Sequence, residues 1–326
     1  MIKRCIISVI KSKRLLHIVF NKLILWVERY LFYPSSFFEY LLAFALLPLS
    51  FLYCVVVISK RIFAKAKKPP IPVISIGNLT IGGSGKTPFL IALAQEFEDI
   101  AIVLRGYKRE SKGTILISQS GTILCDIKTS GDEAMLYAKM LPKACVIVSE
   151  DRLKGINLAS QIGAKVVFLD DGFSKASIEK FDILLQAKPS PKLPFCLPSG
   201  AYREPPFFKK YANLVLEEEK DFFREVAIEN PTPHMLLVTA ISKPQRLEAY
   251  LPKNIVGKQY FPDHFSFKKE ELQELMQRHN ASSILTTTKD AVKMENFGLN
   301  LSLLSLHVKI NQNVKDEINT FLSNFR

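Results

Sequence analysis

Acidic residues are nearly absent from the first 70 positions of this 326-residue chain, where Glu28 and Glu39 stand against twelve lysines and arginines. That segment holds ten of the net +13 charges, so the rest of the chain is close to neutral. A basic patch of this density suits nucleic acid or an anionic surface. Here it flanks an apolar run, which favours anionic lipid. Charge of either sign is missing from Leu41 to Ser59. As a helix these residues cover ~28 Å, about the hydrocarbon thickness of a bilayer. Lys60, Arg61, Lys65, Lys67 and Lys68 follow at once and mark that end as cytoplasmic. The run is too long for a cleavable signal peptide and lacks a small-residue cleavage site. It reads as a membrane helix, with a buried core helix or an interfacial helix kinked at Pro48 as alternatives. Residues 1–30 alternate basic and apolar positions, as an amphipathic helix on a membrane surface does. Pro69, Pro70 and Pro72 close the region, which is expected to lie outside the soluble body.

Cysteine pairing is missing as well. Cys5, Cys54, Cys125, Cys145 and Cys196 are scattered, with no pair at metal-ligand spacing. This excludes a disulfide scaffold and a cysteine-based metal site, and it points to a reducing compartment. Cys145, inside the apolar run Ala144–Val148, reads as a small buried hydrophobe. No internal repeat or low-complexity tract is present, which excludes a solenoid.

What is present begins with residues 77–88, Gly-Asn-Leu-Thr-Ile-Gly-Gly-Ser-Gly-Lys-Thr-Pro. An apolar, β-branched run, Pro72–Ile76, precedes them, and Phe89–Phe97 follows with helical spacing. Strand, glycine-rich turn and Gly85-Lys86-Thr87 opening a helix form the context of a phosphate-binding loop. Amides of Gly82, Gly83, Ser84 and Gly85 would face phosphate oxygens, and the helix N-terminus adds positive potential. Lys86 would reach the β- and γ-phosphates, and the Thr87 hydroxyl would bind Mg²⁺. The outer glycine of G-x-x-x-x-G-K-[ST] is replaced by Thr80, so Gly82 and Gly83 must supply the backbone freedom.

Apolar runs recur at 100–104, 145–149, 166–169 and 183–185, with helical stretches near 132–140 and 152–162. The alternation predicts βαβ units and a parallel sheet covered by helices. Gly113–Cys125 reads as an inserted hairpin turning at Ser120-Gly121. Beyond residue 230 strands are expected at 235–239 and 284–287, and helices at 268–279 and 314–322. The fold class is therefore α/β: a P-loop NTPase-like parallel sheet, a second, smaller α/β domain and an N-terminal membrane helix. The domains are expected at 1–69, 70–228 and 229–326.

Val166–Gly172 is an apolar strand ending in Asp170-Asp171. Behind a Gly-Lys-Thr loop, that is where an acid meets Mg²⁺ or its waters, because hard cations take oxygen ligands. Gly131-Asp132-Glu133 opens a helix, where acids either cap or act chemically. Asp263-His264 lies among aromatics and is either structural or a carboxylate–imidazole pair for proton transfer. Arg105, Arg152 and Arg203 follow strands or sit in loops. Each suits phosphate recognition, and each alone also fits a surface salt bridge.

In order along the chain, Leu46–Tyr53, Gly77–Pro88, Leu104–Tyr107, Gly131–Glu133, Asp170–Phe173, Leu197–Pro205, Asp263-His264 and Thr286–Lys293 resemble the tetraacyldisaccharide 4′-kinases of lipid A biosynthesis. The resemblance covers about residues 40–295. It implies transfer of the γ-phosphoryl group of ATP, with Mg²⁺, to the 4′-hydroxyl of a tetraacylated glucosamine disaccharide 1-phosphate. It also implies an inner-membrane enzyme with its catalytic body on the cytoplasmic face, with glycolipid and membrane surface as partners and no nucleic acid. Asp132 and His264 match the family's proposed catalytic acid and histidine, beside Lys86, and Thr87, Asp170 and Asp171 would hold the metal. One departure is plain: the family continues Asp-Asp-Gly-Phe with Gln-His, and this chain with Ser174-Lys175. A membrane-associated P-loop NTPase acting as a switch or motor is the alternative. An adaptor with a vestigial site fits less well, because Lys86, Thr87 and both aspartates are intact.

Overall fold

The computed structural model describes residues 23–325, apart from 25, 83–84, 187, 242–243 and 263–264 and the side chains of 245–246. Eight strands form the larger sheet: β1 (Val73–Gly77), β2 (Ile100–Leu104), β3 (Ile115–Gln119), β4 (Thr122–Ile123), β5 (Cys145–Val148), β6 (Val166–Asp170), β7 (Phe181–Gln186) and β8 (Leu214–Glu217). Their order is β4-β3-β5-β2-β6-β1-β7-β8. The six strands from β5 to β8 are parallel, and the expected hairpin, β3–β4, joins the β5 edge antiparallel. Strands β1, β2 and β6 are buried along their whole length, which is why they read as continuous apolar runs. Helices Lys86–Ala94, Asp132–Met140 and Arg152–Gln161 cover the faces. The chain leaves β1, crosses over β6 to form β2, and later returns β6 beside β1. That reversal opens a crevice at the carboxyl ends of β1 and β6, where open α/β sheets bind ligands.

Five strands form the second sheet: β9 (Phe222–Glu229), β10 (Met235–Thr239), β11 (Ile255–Tyr260), β12 (Ser283–Thr287) and β13 (Leu301–Ile310), in the order β11-β10-β12-β13-β9. Strand β9 pairs antiparallel with β13 over eight residues, and the other pairs are parallel. Phe222 of β9 and Val314 and Ile318 of the helix Gln312–Asn324 are buried in the core of the first sheet. Both ends of this segment therefore pack back onto the larger sheet.

The single apolar helix expected over Leu41–Ser59 is instead two helices, Phe37–Ala45 and Leu47–Ile62, bent by 50° at Leu46. Pro48 sits in the first turn of the second helix, where its missing N–H is tolerated but a continuous helix is not. Ser36 and Glu39 cap the first helix reciprocally, and Arg29 and Trp26 also bind the Glu39 carboxylate. Those bonds pull the Glu39 carboxyl down to about 2, Ser35 backbone and Arg29 foremost. Among the described residues no single helix is long and apolar enough to cross a membrane; the bent pair passes that test together, by length and composition. Most of the amphipathic segment expected over residues 1–30 lies outside the described residues. Cys145, expected to be buried, is half-buried on β5.

Candidate functional site

Register places Ile76 of β1 directly beside Asp170 of β6, so the loop after β1 and the Asp170-Asp171 turn open side by side. Thr80, where the loop pattern expects glycine, pairs in an antiparallel bridge with Tyr202, and the Ile81 amide donates to the Ala201 carbonyl at 2.8 Å. Extended backbone there needs no glycine. The left-handed turns fall at Gly82 (φ 76°) and Gly85 (φ 80°), the second capping the Lys86–Ala94 helix without any side-chain cap. A helix start without a side-chain cap is the arrangement that suits an anion. Gly83 and Ser84 lie outside the described residues.

Lys86 Nζ donates to Asn78 Oδ1 at 2.9 Å and stands 3.5 Å from Asp171 Oδ1. Arg203 grips Asp171 with both terminal nitrogens, at 2.8 and 2.7 Å, and also donates to Asn78 Oδ1 at 2.8 Å. Burial opposes ionisation of Asp171, yet the Lys86 ammonium and the Arg203 guanidinium outweigh it and hold the carboxyl well below the usual range. Asp171 itself adopts a left-handed φ of 54°, a conformation that aspartate accepts more readily than most non-glycine residues.

Asp170 is the contrasting partner. It is buried, and its Oδ1 has no hydrogen-bond partner among the described residues. Burial, then the charges of Glu133 and Asp171, push its pKa up to about 7 against the pull of Lys86. Tyr137, wholly buried beside Asp170 and Thr87, has its phenol raised by burial, then by the charges of Asp170 and Glu133. Thr87 follows Lys86 in the first helical turn, half-buried.

Asp132 opens the helix Asp132–Met140, and Lys293 Nζ lies 3.1 Å from its Oδ2. Lys293 comes from the second sheet and is nearly buried. Asp290 (3.3 Å) and the Phe265 carbonyl (3.3 Å) hold it. Asp290 is anchored in turn by the Thr239 and Thr287 hydroxyls and the Ala240 amide at the ends of β10 and β12. Beside this pair, Lys289 stands 3.8 Å from Glu133. Asp263 and His264 lie outside the described residues. Arg152 is buried, donates to the Ser149 carbonyl, and has no partner for Nε among the described residues. Burial, then the charges of Arg152 and Arg105, lower the pKa of Lys175, against the pull of Asp171 and Asp151.

The profile of the tetraacyldisaccharide-1-P 4′-kinases matches residues 42–325. The chain belongs to this family. It is 49% identical to the tetraacyldisaccharide 4′-kinase of Aliarcobacter butzleri over 314 residues, covering 94% of this chain and 99% of that one. It is 47% identical to the tetraacyldisaccharide 4′-kinase of Helicobacter pylori, covering 92% and 96%. A crystal structure of LpxK from Aquifex aeolicus in complex with ATP superposes with a TM-score of 0.72 at 30% identity, covering 86% of this chain and 98% of that one.

The structure brings Lys86, Asp170, Asp171 and Arg203 into one cluster, and pairs Asp132 with Lys293 from the second sheet's segment. Reading the sequence missed Asn78, Tyr137 and Lys293. Lys293 was within reach, since it ends the Thr286–Lys293 segment shared with the kinase family. Asn78 and Tyr137 carry no signal of their own in a single sequence. Arg203, which alone fitted a surface salt bridge, is instead the clamp on Asp171.

Proposed function

We propose that this chain transfers the γ-phosphoryl group of ATP to the 4′-hydroxyl of a tetraacylated glucosamine disaccharide 1-phosphate. The observation that carries the reading is the Lys86–Asp171–Arg203–Asn78 cluster at the mouth of a helix-opening glycine loop, in a chain 49% identical to a 4′-kinase. Gly82–Gly85 would cradle the triphosphate, and Lys86 would neutralise charge spreading over the γ-phosphoryl oxygens.

Mg²⁺ fits the residues present. Among the described residues Asp170 offers a buried carboxylate oxygen with no partner, and the charges of Glu133 and Asp171 act on it. Among the described residues no three carboxylate, imidazole or thiol groups converge as a metal cage, and Mg²⁺ bound with phosphates needs only one or two. Asp170 and Thr87 would hold it directly; Asp171, already clamped, suits its waters. When bound, the ion would supply charge neutralisation at the phosphates.

In the transfer, the bond from the γ-phosphorus to the bridging oxygen breaks as the 4′-oxygen bonds to phosphorus, and Asp132, with His264, takes the hydroxyl proton. Arg105, Arg152 and Lys175 suit the anionic end of the acceptor. Catalysis is mostly positioning and charge. The division of labour follows the three segments 1–69, 70–228 and 229–326, with β9 tying the second to the third.

The two apolar helices would hold the body at the membrane. Phe37, Phe38, Leu41, Phe44, Leu49, Phe51, Leu52 and Phe63 are all more than half exposed. A patch of this kind marks a membrane or protein contact, and Lys60, Lys65, Lys67 and Lys68 border it on the side expected to be cytoplasmic. Because each acyl CH₂ is worth ~0.8 kcal/mol in the bilayer, a four-chain acceptor stays there and the enzyme must come to it. The test is incubation with ATP, Mg²⁺ and the disaccharide 1-phosphate in mixed micelles. The expected result is a lipid product one phosphate heavier, and lipid-independent hydrolysis with no such product would refute it.

A further inference from the structure

The helix Leu47–Ile62 has two faces. Leu49, Phe51, Leu52, Val55, Val56 and Ile62 are exposed on one. Ser50, Tyr53, Val57, Ile58 and Arg61, spaced as one helical stripe, lie against the protein on the other. The inward contacts lead to the phosphoryl site. Tyr53 Oη donates to the Arg203 carbonyl at 2.8 Å, and Arg203 is the clamp on Asp171. Arg61 donates to the Phe173 carbonyl at 3.4 Å and pairs with Glu204 at the same distance. Its guanidinium also lies 4.4, 4.7 and 5.1 Å from the ring centres of Phe173, Tyr211 and Phe208. Phe173 follows Asp170-Asp171-Gly172 directly, and its Cβ packs so close to Gly77 that a side chain there would meet it at 2.6 Å. Leu79, in the phosphate loop, belongs to the same apolar cluster, with Val57 and Ile58 packed on it. Two features beside Asp171, the Arg203 clamp and the turn leading to Phe173, are thus seated by one helix.

We propose that Arg61 and Tyr53 are positioning residues for phosphoryl transfer: the helix that offers its apolar face to lipid also sets the geometry of Asp171 through its polar face. This rests on the functional reading above. A nearly buried cation over three rings, paired with a buried carboxylate, is held more tightly than a surface pair. A shift of about 1 Å at a reacting centre can cost ~10²-fold.

The experiment uses the full-length protein in mixed micelles. Arg61→Met, which keeps the apolar stem, is expected to lower kcat by about tenfold per folded molecule while vesicle co-sedimentation stays unchanged. Arg61→Lys should recover most of that loss, because an ammonium still reaches the rings. Tyr53→Phe, which removes one hydroxyl, should lower kcat by about threefold and carries the test if Arg61→Met does not fold. A lower melting temperature with kcat unchanged would overturn the proposal and leave Arg61 a purely stabilising residue. If the parent protein phosphorylates no disaccharide lipid, the functional reading fails separately. Titration with a fluorescent ATP analogue then decides for Arg61: weaker binding in Arg61→Met supports the role, and equal binding removes it.

Discussion

Asp171 and Asp132 each face a cation, but from different parts of the molecule. Asp171 takes Lys86 from the loop after β1 and Arg203 from the segment between β7 and β8, all within the larger sheet's own chain. Asp132 takes Lys293 from beyond β12, on the second sheet. In the proposed roles, the Asp171 clamp is drawn from the larger sheet's own segments, whereas the Asp132–Lys293 contact exists only where the two sheets meet. The β9–β13 ribbon and the returning Gln312–Asn324 helix maintain that docking, through Phe222, Val314 and Ile318 in the first core.

Breaking the self-contained half should have the largest effect. Lys86→Ala removes the ammonium that bridges Asn78 and Asp171, and no described residue of the loop replaces it. The expected loss in kcat lies at the upper end of the ~10²–10³-fold seen for one transition-state donor. Circular dichroism should show the fold intact. Near-parent turnover in a folded Lys86→Ala protein would remove the loop from the mechanism.

The docked half should fail differently. Asp132→Ala and His264→Ala are each expected to lower kcat toward the lower end of ~10²–10⁴-fold, with the KM for ATP little changed. If the pair acts as one unit, the double variant is scarcely worse than the poorer single one. Losses that multiply across the cycle would show two independent residues instead.

The same contrast explains what could be read from the sequence. Strands β1, β2, β5, β6 and β7 are buried on both faces, so their composition alone announces them, and the Gly-Lys-Thr loop and Asp170-Asp171 sit at their ends in a fixed relation. Strand β9 is half-exposed and carries Arg224, Glu225 and Glu229 among its apolar residues, and its partner β13 begins only at Leu301; nothing local announces that pairing. The apolar helix is expected outside the nucleotide fold because its composition speaks only of its outer face. Tyr53 and Arg61, which turn inward, look like ordinary helix residues until Arg203 and Phe173 are seen beneath them. The Lys293–Asp132 pair joins positions 161 residues apart, so only the docked sheets reveal it.

Lys293 therefore sharpens the comparison more than either aspartate. Lys293→Met keeps the stem packed over Phe267 and removes only the charge between Asp132 and the buried Asp290. A fall in kcat of about tenfold is expected, equivalent to about 1.4 kcal/mol of lost positioning. The KM for ATP should stay near its parent value, since Lys86, Asp171 and Arg203 are untouched. A rise in that KM without a fall in kcat would place Lys293 on the nucleotide side instead.

Lys289 supplies the weak limit of the same contact. It also crosses from the second sheet to the Asp132–Met140 helix, reaching Glu133 rather than Asp132, but at 3.8 Å and with both side chains partly in solvent. Pairs of that kind are worth ~0–1 kcal/mol and are screened by salt. Lys289→Ala is thus expected to change kcat by less than about twofold, with the small difference vanishing at high ionic strength. Glu133 adds to the charge that raises the Asp170 pKa, so any change that does appear should be in the Mg²⁺ dependence of turnover, not in the acceptor KM. A Lys289→Ala loss as large as that of Lys293→Met would mean that docking of the two sheets as a whole, and not the Asp132 contact, is what the second sheet contributes.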